Sequence, residues 1–248
     1  MLQNIDKEKL NIMMDRDPEL RKIIKQMLEN HRLALSCVSH EMRNPLTLIY
    51  SSMQLIQAKH PEVVKFEHWT QMLDDVDFMI DLANEIGSFS NSDRMHLATF
   101  NMKHTLECVM LSFAISLEGT GIELIGNIDP SIKNYLGDRI KIQEVLLNLL
   151  TNARQAIQSQ DKQTLKEKPG QITMQAYRTR GGVTIRVKDN GCGIDPVQIK
   201  QIFDPFFTNK PDGTGLGLSI SRKIAEAHYG TLTCNSIYGK GTTFVLAI

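Results

Sequence analysis

The chain has 248 residues, 42% of them hydrophobic, with 28 basic and 28 acidic side chains. That length allows one large domain or two small ones, and zero net charge argues against a general binder of nucleic acid or anionic membrane. The four cysteines (Cys37, Cys108, Cys192, Cys234) show no metal or redox spacing, the apolar runs fall far short of the roughly 20 residues of a membrane helix, and the start MLQNIDKEKL has no apolar signal core, so a soluble cytoplasmic segment is expected, free-standing or part of something larger and anchored.

Helix formers dominate as far as about residue 90, where Gly87 is the single glycine. The apolar pairs Met27/Leu28, Ala34/Leu35, Leu48/Ile49 and Leu55/Ile56 recur every seven residues, with Glu41/Met42 at the middle step. That period predicts a long helix packed as in a coiled coil or four-helix bundle. After Pro61, helical apolar spacing runs from Glu62 to Ile86. Two such helices make a hairpin, which buries its apolar stripe poorly alone, so a homodimer is expected. The stretch GSFSNSDR, residues 87–94, reads as a polar linker.

Within the first helix lies VSHEMRNPL, residues 38–46. At about 100° per residue, His40 falls about 150° from the centre of the apolar stripe, on the solvent face. Asn44, one turn later, lies about 40° from it on the same face. A neutral imidazole beside a carboxylate is a candidate nucleophile, and Glu41 is the adjacent carboxylate. Arg43 reads equally as a phosphate partner or a solvated charge. Pro45 cannot donate to the Glu41 carbonyl, so a bend exposing that acceptor is expected.

The pattern changes after the linker. Residues 100–117 read as a helix, 121–128 as a strand, and 138–159 as a helix with Asp138 at its N-cap. Strands at 171–177 and 183–188 flank Arg180-Gly181-Gly182, a hairpin signal. Two more, at 231–236 and 242–247, flank Tyr238 to Gly241. The expected fold class is therefore α+β: a helical hairpin, then a mixed or antiparallel sheet backed by helices.

Three short stretches lie close together in this second part: the glycine-bearing DNGCGI (189–194) after a strand, the phenylalanine-bearing FDPFFTNK (203–210), and the glycine-rich GTGLGL (213–218) opening a helix to about His228. Glycines before a helix let backbone N–H groups approach phosphates, and a helix N-terminus favours anions. The spacing is neither a P-loop nor a dinucleotide fingerprint. In EVLLNLLTN, the side chains of Glu144, Asn148 and Asn152 form one polar line on an otherwise Leu-rich helix. Amide oxygens there suit Mg²⁺, which keeps several waters and bridges to phosphates.

The ordered set SHEMRNP, EVLLNLLTNARQAI, DNGCGI, FDPFFTNK and GTGLGLSI resembles the H, N, G1, F and G2 boxes of two-component sensor histidine kinases, from about residue 20 to the C-terminus. NARQAI is most similar to the nitrogen-regulatory and sporulation-type members. The resemblance implies an N-terminal extension (1–19), a dimerisation and histidine phosphotransfer domain (20–90) forming a dimeric four-helix bundle, a linker (91–95), and an α/β-sandwich catalytic ATP-binding domain of the histidine kinase/gyrase/Hsp90 type (96–248). It implies ATP and Mg²⁺ as cofactors and a response-regulator receiver domain as partner, with no sensor in this chain, no nucleic acid and no membrane contact.

By position, the resemblance makes His40 the phospho-acceptor, Glu41 its general base and Asn44 the residue orienting water for dephosphorylating the regulator. Asn152 ligates Mg²⁺, with Glu144 and Asn148 supporting its water shell. Asp189 accepts from the adenine amino group, with Gly191 and Gly193 giving the base access. Phe203, Phe207 and Thr208 shape a lid, Lys210 reaches the phosphates, and Gly213, Thr214, Gly215, Leu216 and Gly217 form the phosphate cradle. Thr242 meets the adenine end through water. Many such kinases carry a basic residue three positions after the second Asn; here Gln155 stands there with Arg154 one earlier, and the sequence leaves open which of them, if either, meets the phosphates. The lid, Lys210 to Gly213, is short. Rival readings are a phosphorelay transfer protein with an inactive ATP domain, and an ATP-gated clamp.

Overall fold

A computed structural model describes residues 13–92, 94–160, 169–210 and 213–248. Residues 1–12 of the expected N-terminal extension, Asp93 of the linker, and Pro211 and Asp212 of the short lid lie outside the described residues. The chain divides into two compact units on either side of the Asn91–Ser92 bond.

The first unit is a helical hairpin of α1 (Pro18–Lys59) and α2 (Trp69–Asn91), joined through a 3₁₀ turn (Pro61–Lys65). Asp17 caps α1, its Oδ1 accepting from the N–H groups of Glu19 and Leu20 at 2.9 and 3.0 Å, with Pro18 in the first turn. The helix runs unbroken through Pro45.

Helix α2 departs from the sequence reading at both ends. It begins at Trp69, not Glu62, because Phe66 is extended and His68 sits at φ +67°, a left-handed residue that breaks the helical path. Val63 is still buried, from the 3₁₀ turn. At the other end, residues 87–91 of the expected linker are helical. Their polar groups find partners inside the hairpin: Ser90 Oγ and Asn91 Nδ2 donate to the Gly87 carbonyl at 2.8 and 3.0 Å. Asn91 also donates to Ser36 Oγ at 3.2 Å and accepts from Arg32 at 3.1 Å. The two helices meet at a seam of small residues. Buried Ser39 donates to the Ala83 carbonyl, and a Cβ on Gly87 would lie 2.7 Å from Ser39 Oγ.

In the second unit, β1 (Ala98–Asn101) precedes α3 (Met102–Ile115), so the helix expected from Phe100 starts two residues later. The Asn101 side chain accepts from the His104 N–H at 3.0 Å, which makes Asn101 the cap and leaves Phe100 extended. Strands β2 (Ile122–Ile128) and β3 (Asn134–Gly137), helix α4 (Arg139–Gln158), strands β4 (Gly170–Thr179) and β5 (Gly182–Asp189), helix α5 (Gly217–Ala227), and strands β6 (Thr231–Ile237) and β7 (Gly241–Ala247) follow. β1 pairs with β3; the main sheet runs β2-β4-β5-β7-β6, with β2 and β4 parallel and its other pairs antiparallel.

The core lies between one sheet face and the helices. Ile172, Met174, Ile185, Val187 and Leu246 of the sheet are buried, as are Leu146, Leu149 and Leu150 of α4 and Ile220 and Ile224 of α5. A buried polar node ties the ends of α4 and α5 together. Asp138 Oδ1 caps α4 by accepting from the N–H groups of Ile140 and Lys141 at 3.1 Å each, and Oδ2 accepts from the His96 N–H at 2.8 Å. Burial works to raise the Asp138 pKa, but these N–H donors hold it below the ordinary value. The Asp138 N–H in turn donates to His228 Nε2 at 3.0 Å, and His228 Nδ1 donates to the Ile224 carbonyl at 2.8 Å.

Candidate active site

The polar line expected on α4 is assembled by side-chain hydrogen bonds. Asn152 Nδ2 donates to Asn148 Oδ1 at 3.1 Å, and Asn148 Nδ2 donates to Ser221 Oγ on α5 at 2.7 Å. Glu144 Oε2 accepts from Lys141 Nζ at 3.1 Å. Helix α5 reaches this line because position 217 is glycine: a Cβ there would lie 2.5 Å from Asn148 Oδ1. Gly191 likewise approaches the backbone of α4, where a Cβ would lie 2.6 Å from the Ala156 carbonyl carbon. The adjacent Cys192 N–H donates to the Ala156 oxygen at 3.0 Å.

Asp189 ends β5 and is buried at 4% exposure. Its Oδ1 accepts from the N–H groups of Gly191 and Thr242 at 2.8 and 3.2 Å. Burial pushes its pKa above the ordinary carboxylate value in spite of these donors. The neighbouring half-buried Cys234 thiol is pushed up to about 12 by burial and then by the Asp189 charge, which keeps it in the unreactive thiol form. Thr242 Oγ1 lies 3.0 Å from Ser236 Oγ, whose hydroxyl also accepts from the Ile194 N–H at 2.8 Å. Gly193 precedes that residue at φ +71°.

The phenylalanine stretch packs on the same region. The Phe203 ring meets Phe244 edge-on at 6.5 Å, and the Arg222 guanidinium lies 5.2 Å from its centroid. Phe207 is half-buried, and the Phe206 N–H donates to the Gly215 carbonyl at 3.0 Å, which joins this stretch to the last glycine loop. In that loop Gly213 lies beside Thr208, Thr214 Oγ1 accepts from the Leu216 N–H at 3.3 Å, and Leu216 is fully buried at the start of α5. Thr208 Oγ1 accepts from the Lys210 N–H at 3.1 Å.

Lys210 reaches the α4 positions next to Arg154. Its Nζ donates to Asn152 Oδ1 at 3.0 Å and to Gln155 Oε1. Burial pulls its pKa below the ordinary lysine value. Arg154 is turned the other way, its guanidinium 5.8 Å from the Phe113 centroid on α3. The cation meeting this part of α4 therefore comes from the phenylalanine stretch, not from the helix itself. Asn152 Oδ1 is a hard oxygen that the fold already uses to hold a cation, so the donor chemistry fits Mg²⁺.

His40, Glu41 and Asn44 lie on α1 of the first unit and are all exposed. The imidazole partner is not Glu41. Arg43 Nη1 lies 3.3 Å from His40 Nδ1, whereas Glu41 Oε1 accepts from Cys37 Sγ at 3.4 Å. Helix geometry is the reason: neighbours in sequence point about 100° apart, while residues three and four apart share a face. Sequence reasoning missed Ser221 and raised Gln155 only as a possible phosphate contact. Ser221 stands one turn beyond Gly217 on α5, and Gln155 one turn beyond Asn152 on α4, so helical spacing from each motif residue was the available signal.

Residues 137–248 match the family described as histidine kinase-, DNA gyrase B-, and HSP90-like ATPase. Over 230 residues, covering 90% of this chain, the sequence is 31% identical to the signal transduction histidine-protein kinase AtoS of Escherichia coli (strain K12); this chain spans 36% of that protein's length. The catalytic domain of histidine kinase ThkA is 30% identical and superposes with a TM-score of 0.52, covering 61% of this chain and 93% of that domain. Histidine kinase ThkA in complex with the response regulator protein TrrA aligns over 93% of this chain and 66% of the kinase, with a TM-score of 0.60 and 25% identity. With a helical hairpin followed in sequence by an α/β ATP-binding unit, this chain belongs to the sensor histidine kinases of two-component systems.

Proposed function

We propose that this chain is an ATP-dependent protein-histidine autokinase core that phosphorylates His40 and passes the phosphoryl group to an aspartate on a separate response regulator. The observation that carries this reading is the pairing, in one chain, of an exposed helical histidine with the Asn152–Asn148–Ser221 line and the buried acceptor Asp189. The second carboxylate oxygen of Asp189 accepts from the adenine amino group, since both neighbouring N–H groups converge on Oδ1. The loop Gly213–Gly217 and the first turn of α5 receive the phosphates. Asn152, supported by Glu144 and Asn148, holds Mg²⁺, which supplies neutralisation of phosphate charge when bound.

Phosphoryl transfer has a loose transition state, so this chain contributes chiefly position and charge. Asn44, on the face of His40, orients water for dephosphorylation of the regulator. Residues 20–90 form the dimerisation and phosphotransfer domain and 96–248 the catalytic one. A homodimer is supported by the apolar side chains left exposed on the hairpin, among them Met27, Leu48, Leu55 and Ile56. The complex of ThkA with the response regulator protein TrrA supports a receiver domain as the acceptor.

The test is incubation of the purified chain with γ-labelled ATP and Mg²⁺. The expected result is an acid-labile, base-stable label that His40→Gln abolishes. A label of that chemistry persisting in the variant overturns the assignment of His40.

A further inference from the structure

The contact between Arg43 and His40 fixes more than position. A guanidinium carries five N–H donors, no acceptor, and a charge it does not lose. Arg43 Nη1 at 3.3 Å from Nδ1 is therefore the donor, and Nδ1 must offer its lone pair. In a neutral ring the proton then sits on Nε2. Neither nitrogen of such a ring has a free lone pair: one is engaged by Arg43 and the other carries hydrogen.

We propose that Arg43 is a positioning residue that parks His40 in the Nε2–H tautomer, and that this contact must break before His40 accepts a phosphoryl group. The proposal rests on the autokinase reading of His40. In the transfer, a ring nitrogen uses its lone pair to form an N–P bond, and the bond from Pγ to the bridging oxygen breaks. The electron pair leaves with ADP, and the ring proton stays on the other nitrogen until a carboxylate or water removes it. For Nε2 to attack, that proton must be on Nδ1, the atom Arg43 occupies.

The surroundings hold Arg43 in this pose. It is half-buried at the small-residue seam of the hairpin, where its Nη2 would lie 3.5 Å from a Cβ at position 87. Its Nε is buried with no hydrogen-bond partner. An unpartnered buried donor is costly, so the guanidinium has something to gain from a partner with several oxygens, as a phosphate group offers. The nearest carboxylate in sequence, Glu41, is turned to Cys37. The same arginine that parks the ring is thus the group that an arriving polyphosphate would draw away.

The experiment reads the ring directly in the full chain. Diethylpyrocarbonate acylates a histidine lone pair, and its rate at His40 can be followed by peptide mass spectrometry without any nucleotide. Arg43→Met should raise that rate by about fivefold, the size of one modest hydrogen bond. In ¹⁵N-histidine spectra, wild-type His40 should show the Nε2–H tautomer alone, and Arg43→Met a mixture of both. If Arg43→Met does not fold, Arg43→Lys keeps a cation and an aliphatic stem and should fall between the two in rate. Unchanged or slower acylation with an unchanged tautomer overturns the proposal. Faster acylation in a chain that takes no label from γ-labelled ATP would uphold the contact and remove the autokinase reading instead.

Discussion

The two units bury their apolar residues in opposite ways. In the second, a mixed sheet and helices α3, α4 and α5 enclose side chains such as Leu146, Leu149, Ile172 and Met174, each at 0% exposure. In the hairpin, Leu46 and Ala83 are buried, while Leu48 and Leu55 stand 69% and 62% exposed. Both helices of the hairpin carry sound helical spacing, so the difference is not one of propensity. Two helices have only one mutual interface, and a stripe wider than that interface stays open. The second unit completes its core within one chain, and the hairpin's energetics point outward.

Substitution of one leucine in each unit gives the largest effect and the sharpest test of this contrast. Leu146→Ala should lower the stability of the second unit by about 3–5 kcal/mol, since the site is closed on all sides and collapses poorly. The midpoint of that unit's denaturant transition would show it, independent of protein concentration. Leu48→Asp should leave that midpoint unmoved and shift the chain from dimer to monomer in sedimentation, with a melting temperature for the hairpin that depends on concentration. A concentration-independent hairpin transition in the wild type would break the comparison.

Asp189 sharpens the same contrast at the level of one charge, because its carboxylate is held in the dry unit. Its pKa is raised from the ordinary 3.8 by burial. The folded state therefore binds the proton more tightly than the unfolded state, and stability falls as pH rises through the unfolded and then the folded pKa. Above that window the cost of the buried charge is present in full. Asp189→Asn removes it and keeps an oxygen for the Gly191 and Thr242 N–H groups. The variant should melt above wild type at neutral pH, with the gap closing as pH falls towards 4. ATP affinity should drop by about tenfold to a hundredfold, the worth of a hydrogen bond to a charged group. A variant that melts lower and binds ATP as wild type does would contradict both halves.

Features set by local chemistry were legible in the sequence. Asp138 was readable as a cap because the cap is made three residues away, and Arg180-Gly181-Gly182 because a tight hairpin needs those residue types. What was hidden depends on distant partners. Nothing local says that Asn91 continues a helix; the bond to Ser36, 55 residues earlier, decides it. The strands β1 and β3 have four residues each, too few to show alternation. The helical line Glu144, Asn148, Asn152 was visible as spacing, but Ser221, 73 residues from Asn148, was not. The Arg43 contact to His40 was not anticipated, because adjacency in sequence was weighed above the shared face of positions three apart.

Lys210 offers the smallest effect and the finest division between the two units' logic, since it concerns one cation at the surface of the closed one. Its ammonium bridges Asn152 and Gln155, and Arg154 is committed to Phe113. If the site needs one positive charge beside Asn152, the residue that supplies it is interchangeable. Lys210→Met should then weaken ATP binding by about tenfold, in line with one charge-assisted hydrogen bond, without changing the melting temperature of the unit by more than a degree or two. Gln155→Lys in that background brings a cation from α4, one turn beyond Asn152, and should recover most of the loss. Gln155→Lys alone sets two ammonium groups together and should do slightly worse than wild type. Titration of ATP with Mg²⁺ against all four proteins reads the cycle. Failure of Gln155→Lys to rescue Lys210→Met would mean that Lys210 acts through its place in the phenylalanine stretch rather than through its charge at Asn152.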